Sequence, residues 1–229
     1  EKKTYSGELS ACVIFTPREK ENTYDTDILI HPGVIVMDDS VWRVGRASVA
    51  IKGKEVTVND FAVRRGDEYL TVAGKISDPD EKLRVNLRKF NLEYLARIAL
   101  KRHLALFGVT TGELTLQDYY RDFLLLSDFE IEHWGLNRDT LGTMRLRSYW
   151  DIENQSLIMG AQNYVGNDIP LQMNGFYSPA TDTLDVSIHL KQVGIERLGI
   201  YASDYFSDTE GFLSGQLQIG GTLRKPDLS

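Results

Sequence analysis

Cysteine occurs once in the 229 residues, at Cys12, so no intramolecular disulfide can staple the fold. Histidine is almost as scarce: His31, His103, His133 and His189 are scattered, without the paired spacing that a structural zinc site requires. A lone thiol of this kind reads as a small buried side chain. No run of Lys or Arg exceeds two, and 26 basic against 33 acidic side chains leave a net charge of −7. That balance excludes a phosphate-backbone partner, so nucleic acid is not expected as a ligand. No stretch approaches the roughly eighteen consecutive apolar residues of a membrane helix. Gly-x-Ser-x-Gly, His-Glu-x-x-His, phosphate-loop and dinucleotide motifs are all missing, and no catalytic residue, metal ligand or cofactor is expected.

What the chain does have is 42% apolar residues, arranged with period two almost throughout, the pattern of strands with one wet and one dry face. Val49 and Ile51 lead through Lys52-Gly53-Lys54-Glu55 into Val56 and Val58, which reads as a hairpin. Phe61 and Val63 turn at Arg64-Arg65-Gly66-Asp67-Glu68 into Leu70 and Val72, and Ser77-Asp78-Pro79-Asp80 leads to Leu83, Val85 and Leu87. Turn signals at this spacing, about eight to twelve residues, predict an antiparallel all-β fold rather than βαβ units. One segment differs. Residues 91–107, from Asn91 to Phe107, carry a cap residue, strong helix formers and Gly108 beyond, and predict one prominent helix. The chain opens on Glu1-Lys2-Lys3-Thr4 and stops in a turn-like Gly-, Lys- and Pro-containing segment; it reads as an excerpt of a longer protein.

The most specific signal is an internal repeat. Val72-Ala73-Gly74-Lys75-Ile76-Ser77 followed by Leu83-Arg84-Val85-Asn86-Leu87 matches Met173-Asn174-Gly175-Phe176-Tyr177-Ser178 followed by Leu184-Asp185-Val186-Ser187-Ile188, with Gly74 and Gly175 101 positions apart. Leu92-Glu93-Tyr94-Leu95 then matches Ile195-Glu196-Arg197-Leu198, and Gly112-Glu113-Leu114-Thr115-Leu116 matches Gly215-Gln216-Leu217-Gln218-Ile219, both at 103. Three patches in one order divide the chain into N-terminal strands (1–43), a first β repeat with the helix (44–140) and a second β repeat (141–229). Each unit exposes an apolar strand face that it cannot cover alone. The residues expected on that face, as a hydrophobic groove, are Val56, Val58, Val85, Leu87, Leu114, Leu116, Val186, Ile188, Leu217 and Ile219. Gly74, Gly112, Gly175 and Gly215 are expected to permit bends or tight approach at strand ends.

The succession Gly211-Phe212-Leu213-Ser214-Gly215-Gln216-Leu217-Gln218-Ile219-Gly220-Gly221-Thr222-Leu223-Arg224-Lys225-Pro226-Asp227-Leu228 resembles the recurring Gly-x-x-x-Gly-x-Leu-x-Ile-x-Gly-Thr-x-x-x-Pro-x-Leu pattern of the TamB (translocation and assembly module) family, in the AsmA-like group. Leu171 to Ser178 and Leu184 to Leu190 support it, over roughly residues 30 to 229. The first repeat departs from the pattern, with Gln117-Asp118-Tyr119-Tyr120-Arg121-Asp122-Phe123 in place of the Gly-Thr-x-x-x-Pro turn. The resemblance implies a half-rolled sheet, a β-taco with an apolar concave face, in a periplasmic protein anchored in the inner membrane. It also implies partners: phospholipid or fatty-acid chains, a BamA-type outer-membrane assembly protein, and unfolded outer-membrane protein strands.

The competing reading is a carbohydrate-binding or hydrolytic all-β domain. Trp42, Trp134 and Trp150, with eleven Tyr, offer stacking surfaces, and Asp25/Asp27, Glu130/Glu132 and Asp204/Asp208 are paired carboxylates of the kind glycoside hydrolysis uses. That reading predicts tryptophans exposed in a cleft between acidic residues. The groove reading predicts aromatics packed in the sheet.

Overall fold

In a computed structural model the chain is all-β and antiparallel, with seventeen strands among the described residues. The structure describes residues 5–18, 23–37, 39–77, 81–94, 106–117, 124–136, 139–194, 211–222 and 225–228. They fall into two units: residues 1–90 with 111–126, and residues 91–110 with 127–229.

The first unit holds β1 (Tyr5–Glu8), β2 (Ala11–Pro17), β3 (Tyr24–Ile30), β4 (Gly33–Met37), β5 (Ser40–Val44), β6 (Ala47–Lys52), β7 (Glu55–Arg65), β8 (Glu68–Ile76), β9 (Lys82–Asn91) and the second part of β10 (Leu106–Gln117). Lys52 faces Glu55 across Gly53-Lys54, the hairpin that the sequence predicts. Gly53 sits at φ 62°, as a two-residue turn matched to the strand twist requires. β7 pairs with β8 along its length, whereas its other side is shared: β6 takes residues 55–59 and β5 takes Val63 and Arg64. The half-strands continue outward as β3 and β2 on one branch and β4 and β1 on the other. Three long strands are therefore each broken in the middle, at Leu9-Ser10, His31-Pro32 and Gly45-Arg46. The breaks are still stitched, by His31 N–H to the Ser10 carbonyl and Gly45 N–H to the Ala62 carbonyl, both 2.9 Å. Pro32 has no N–H to give the ladder, which suits it to such a break.

The second unit holds the first part of β10 with β11 (Leu124–Leu136), β12 (Asp139–Asp151), β13 (Ser156–Val165), β14 (Asp168–Ser178), β15 (Thr183–Gly194), β16 (Phe212–Gly221) and β17 (Pro226–Leu228). From β11 to β17 each strand pairs with the next. Gly221 faces Pro226 across the terminal turn, closed by reciprocal Thr222–Lys225 backbone bonds.

Bulges recur along the long strands. Two residues oppose one at Asn59-Asp60, Glu132-His133 and Lys191-Gln192, and the second of each pair has positive φ: Asp60 55°, His133 50°, Gln192 51°. Lys89 has the same conformation, φ 48°. The extra residue bends the strand and increases its local twist. Lys89 donates its backbone N–H to Thr111 Oγ1 (3.1 Å), and Gln192 donates its own to Ser214 Oγ (2.9 Å). Both donor–acceptor pairs span 22 residues and lie 103 positions apart, so the repeat is a repeat of structure as well as of sequence.

Four expectations need correction. The repeat register slips by two between patches: Gly74 faces Leu83 and Gly175 faces Val186, so Leu83 corresponds to Val186 and not to Leu184. A slip of two keeps every side chain on its face. Leu106 and Phe107 are strand residues, because β10 begins at Leu106; residues 92–94 are helical and the rest of the expected helix lies outside the described residues. Within that first turn Asn91 Oδ1 accepts the Glu93 N–H at 2.9 Å, the capping role expected of it. Cys12 is exposed, since β2 is uncovered on both of its sides, every one of its residues being exposed. The four singled-out glycines are interior to β8, β10, β14 and β16 rather than at strand ends.

Candidate functional site

Each unit turns one side of its strands dry. In the first, Val56 faces Ile76, Val58 faces Gly74, Gly74 faces Leu83, Val72 faces Val85 and Leu70 faces Leu87, placing all of them on one side by the period-two rule. Val58, Ile76 and Leu83 form a buried cluster against which Val49, Val56, Phe61, Val72 and Leu116 pack. Leu114 shares the Leu116 side of β10. The opposite side carries Thr57, Lys75, Arg84 and Asn86. In the second unit Val186 faces Ile219, and Ile188 lies between Met173 and Leu217, with Leu157, Met159, Leu171 and Leu190 on the same side. The ten residues expected on the apolar face therefore all lie on the dry side of their own unit.

These faces are only partly covered. Val58, Leu87 and Val186 are buried at 8%, 6% and 5% exposure. Val56, Val85, Leu114, Leu116, Ile188, Leu217 and Ile219 stay half-buried. Leu171, Met173 and Ile188 already have paired strands on both sides, so their remaining exposure is of the face itself. In the second unit the row Leu157, Met159, Leu171, Met173, Ile188, Leu190, Leu217 and Ile219 is half-buried throughout.

At one end of that row lies a cavity of about 270 Å³, lined by Trp134, Leu141, Asn163, Leu171, Leu190 and Val193, with Phe212 also in contact. Asn163 is 4% exposed. Its Oδ1 accepts the Trp134 indole N–H at 2.6 Å and its Nδ2 donates to the Leu141 carbonyl at 2.8 Å. Both ends of the amide are thus engaged, which is what makes a buried Asn tolerable. The polar residues lining the cavity, Asp168, Lys191 and Gln192, are exposed and mark its wet mouth.

The opposite side of the second unit carries its charged and amide side chains, together with one apolar group, Tyr149, Ile158 and Phe176, paired across β12, β13 and β14. Arg145 pairs with Glu130 at 2.8 Å and Arg147 with Asp128 at 3.1 Å, across β11 and β12, and Gln218 bridges Ser187 and Asp185. The hydrogen bond and charge of Glu130 raise the pKa of the Arg145 guanidinium. Lys89 lowers that of the Asp67 carboxyl by the same means in the first unit. His189 is exposed on this side between Gln172 and Gln216. Exposed pairs of this kind set register and solubility and add little stability.

The tryptophans are not placed as the carbohydrate reading expects. Trp42, Trp134 and Trp150 are buried, at 0%, 9% and 9%, so they present no stacking platform. Asp25 is ion-paired to Arg18 at 2.8 Å and Glu130 to Arg145, while Asp204 and Asp208 lie outside the described residues. Among the described residues no group of three metal-ligating side chains is present, and no helix is long and apolar enough to cross a membrane.

The close approach expected of the glycines is present at Gly74 and Gly175. A Cβ on Gly74 would meet the Lys82 carbonyl oxygen at 2.0 Å, and one on Gly175 the Asp185 carbonyl oxygen at 2.3 Å, whereas Gly215 has nothing within 4 Å. Gly112 is held at φ 157°, close to extended backbone. Sequence patterning missed Asn163 and Val193, and named Trp134 without placing it at this cavity, because bulges move residues between alternating positions without altering the local composition. Aligning Lys89 with Gln192 exposes the difference, since it sets Phe90 against Val193. No family model, no curated protein and no solved structure matches this chain.

Proposed function

We propose that this chain is a non-enzymatic module of a TamB-like envelope protein, working in the periplasm as part of an inner-membrane-anchored parent. Its apolar β faces receive hydrocarbon or extended polypeptide during phospholipid transport or outer-membrane protein assembly. The observation that carries the reading is the half-buried aliphatic row of the second unit, Leu157 to Ile219, whose remaining exposure is of one sheet face. Monomeric proteins seldom leave contiguous apolar surface uncovered unless something binds there. Burying an acyl chain against such a row yields about 0.8 kcal/mol per methylene, while the headgroup stays in water. Neither that transfer nor strand pairing along a sheet edge uses a catalytic residue. Within this reading a BamA-type assembly protein and unfolded outer-membrane strands are the protein partners.

Native mass spectrometry and lipid extraction test the proposal. Protein purified without detergent from a Gram-negative periplasm is expected to retain fatty acid or phospholipid. Ile188→Asp or Leu217→Asp should lower the retained amount about tenfold, because a carboxylate on the row must be desolvated against each bound chain. Lipid-free wild-type protein that also ignores phospholipid vesicles rejects the lipid arm. Cross-linkers on β2 that capture unfolded outer-membrane protein then decide for the polypeptide arm.

A further inference from the structure

The two repeats align through their registers. Leu70 faces Leu87 as Leu171 faces Leu190. Val63 faces Leu70 as Asn163 faces Leu171, and Val44 faces Val63 as Met144 faces Asn163. Two residues before Val44 stands Trp42, and two before Met144 stands Gly142. One residue beyond Lys89 stands Phe90, and one beyond Gln192 stands Val193. In the first unit Trp42 and Phe90 fill this place, buried at 0% and 5% with their rings 5.3 Å apart. In the second, Gly and Val take their positions. Trp134 enters from the next strand opposite Gly142, and the cavity of about 270 Å³ remains.

We infer that this cavity is a subsite for the end of a single hydrocarbon chain, laid along the row Ile188–Leu190 and entering past Phe212; the inference rests on the proposed lipid reading. Three features fix the ligand class. An engineered apolar cavity of roughly 150 Å³ already admits benzene, and this one is larger. Leu141, Leu171, Leu190, Val193 and the Trp134 ring line it, and the Asn163 amide is occupied by Trp134 and Leu141, so carbon predominates in what it offers a guest. The polar side chains stand at its mouth, Asp168 and Lys191 among them, and Phe212 is 74% exposed there. A chain carried by a free fatty acid and one carried by a phospholipid present the same terminal methylenes to this wall.

Photolabelling of the full 229-residue chain tests the subsite. One arm uses palmitic acid with a terminal diazirine. The other uses phosphatidylcholine vesicles whose lipid carries the same tail. Adducts mapped by peptide mass spectrometry are expected on 163–171 and 190–193, and the arm that gives them identifies the source. Val193→Phe, which restores the side chain found at this place in the first repeat, should cut those adducts about tenfold while leaving labelling elsewhere on the row. If Val193→Phe proves unfolded by circular dichroism, Val193→Ile replaces it, with a loss of about threefold expected. Adducts spread evenly along Val186–Ile188 and Leu217–Ile219, or unchanged by filling the cavity, overturn the subsite but leave the groove reading standing. No labelling of wild type in either arm overturns both.

Discussion

At the scale of single residues, the two glycines at 74 and 175 do work that Gly215 does not. Gly175 sits where β15 crosses so closely that a Cβ meets the Asp185 carbonyl oxygen at 2.3 Å and the Val186 Cα at 2.6 Å. Both obstacles are backbone and cannot step aside. Gly175→Ala is therefore expected to destabilise by about 2 kcal/mol or more, while Gly215→Ala, in open space, gains about 0.5 kcal/mol from lost unfolded-state freedom. Urea unfolding of the two variants separates them. Asp151 is a second case. Its carboxylate accepts from the Asn154 side-chain amide at 2.7 Å and from the Glu153 and Asn154 backbone at 3.0 and 3.2 Å. The Asn154 bonds lower its pKa. The folded value lies below the unfolded one of about 3.9, so the contribution is present above that value and lost as the pH falls through the folded midpoint. An NMR titration should place the midpoint below about 3.9. Asp151→Ala should speed amide exchange at Glu153 and Asn154 above about pH 5 and lose its effect in acid.

At the scale of the element, the bulge is the unit of construction. Gln192 gives up a ladder bond by adopting φ 51°, and Ser214 restores it with a side-chain oxygen. Ser214→Ala leaves that N–H to water and should cost about 0.5–1 kcal/mol. Hydrogen exchange should show the loss at the Gln192 amide, with Ser187 and Ile188 unaffected. Much of this level was legible in the sequence. Alternation found the strands because a half-dry sheet forces period two, and Gly53 with Gly66 marked turns because those turns need positive φ. The bulges were not legible, because Asn59-Asp60, Glu132-His133 and Lys191-Gln192 look like ordinary wet-face residues. Their conformation is set by what lies across the ladder. The helix boundary failed for a related reason: Leu106 and Phe107 suit either structure, and tertiary pairing decides.

At the scale of the whole molecule, the 42% of residues that are apolar are not spent on one sealed interior. Among the described residues Trp42 alone is a large side chain fully removed from solvent, and the aliphatic row of the second unit remains half-open. The dry face was legible because burial on one side leaves an imprint every second residue. The cavity at its end was not, because it arises from a difference between two related units. The repeat made that difference visible only once Lys89 and Gln192 could be set side by side. The slip of two between the patches, 101 positions and then 103, carries a further meaning. A chain built this way has a parity, much as a coding sequence has a frame. Length can change between strands in steps of two without disturbing which atoms meet water, while a step of one inverts every residue downstream until a compensating residue is absorbed. Each positive-φ bulge is such an absorber, so the protein can lengthen its strands by odd numbers wherever a bulge is available and must otherwise vary in pairs.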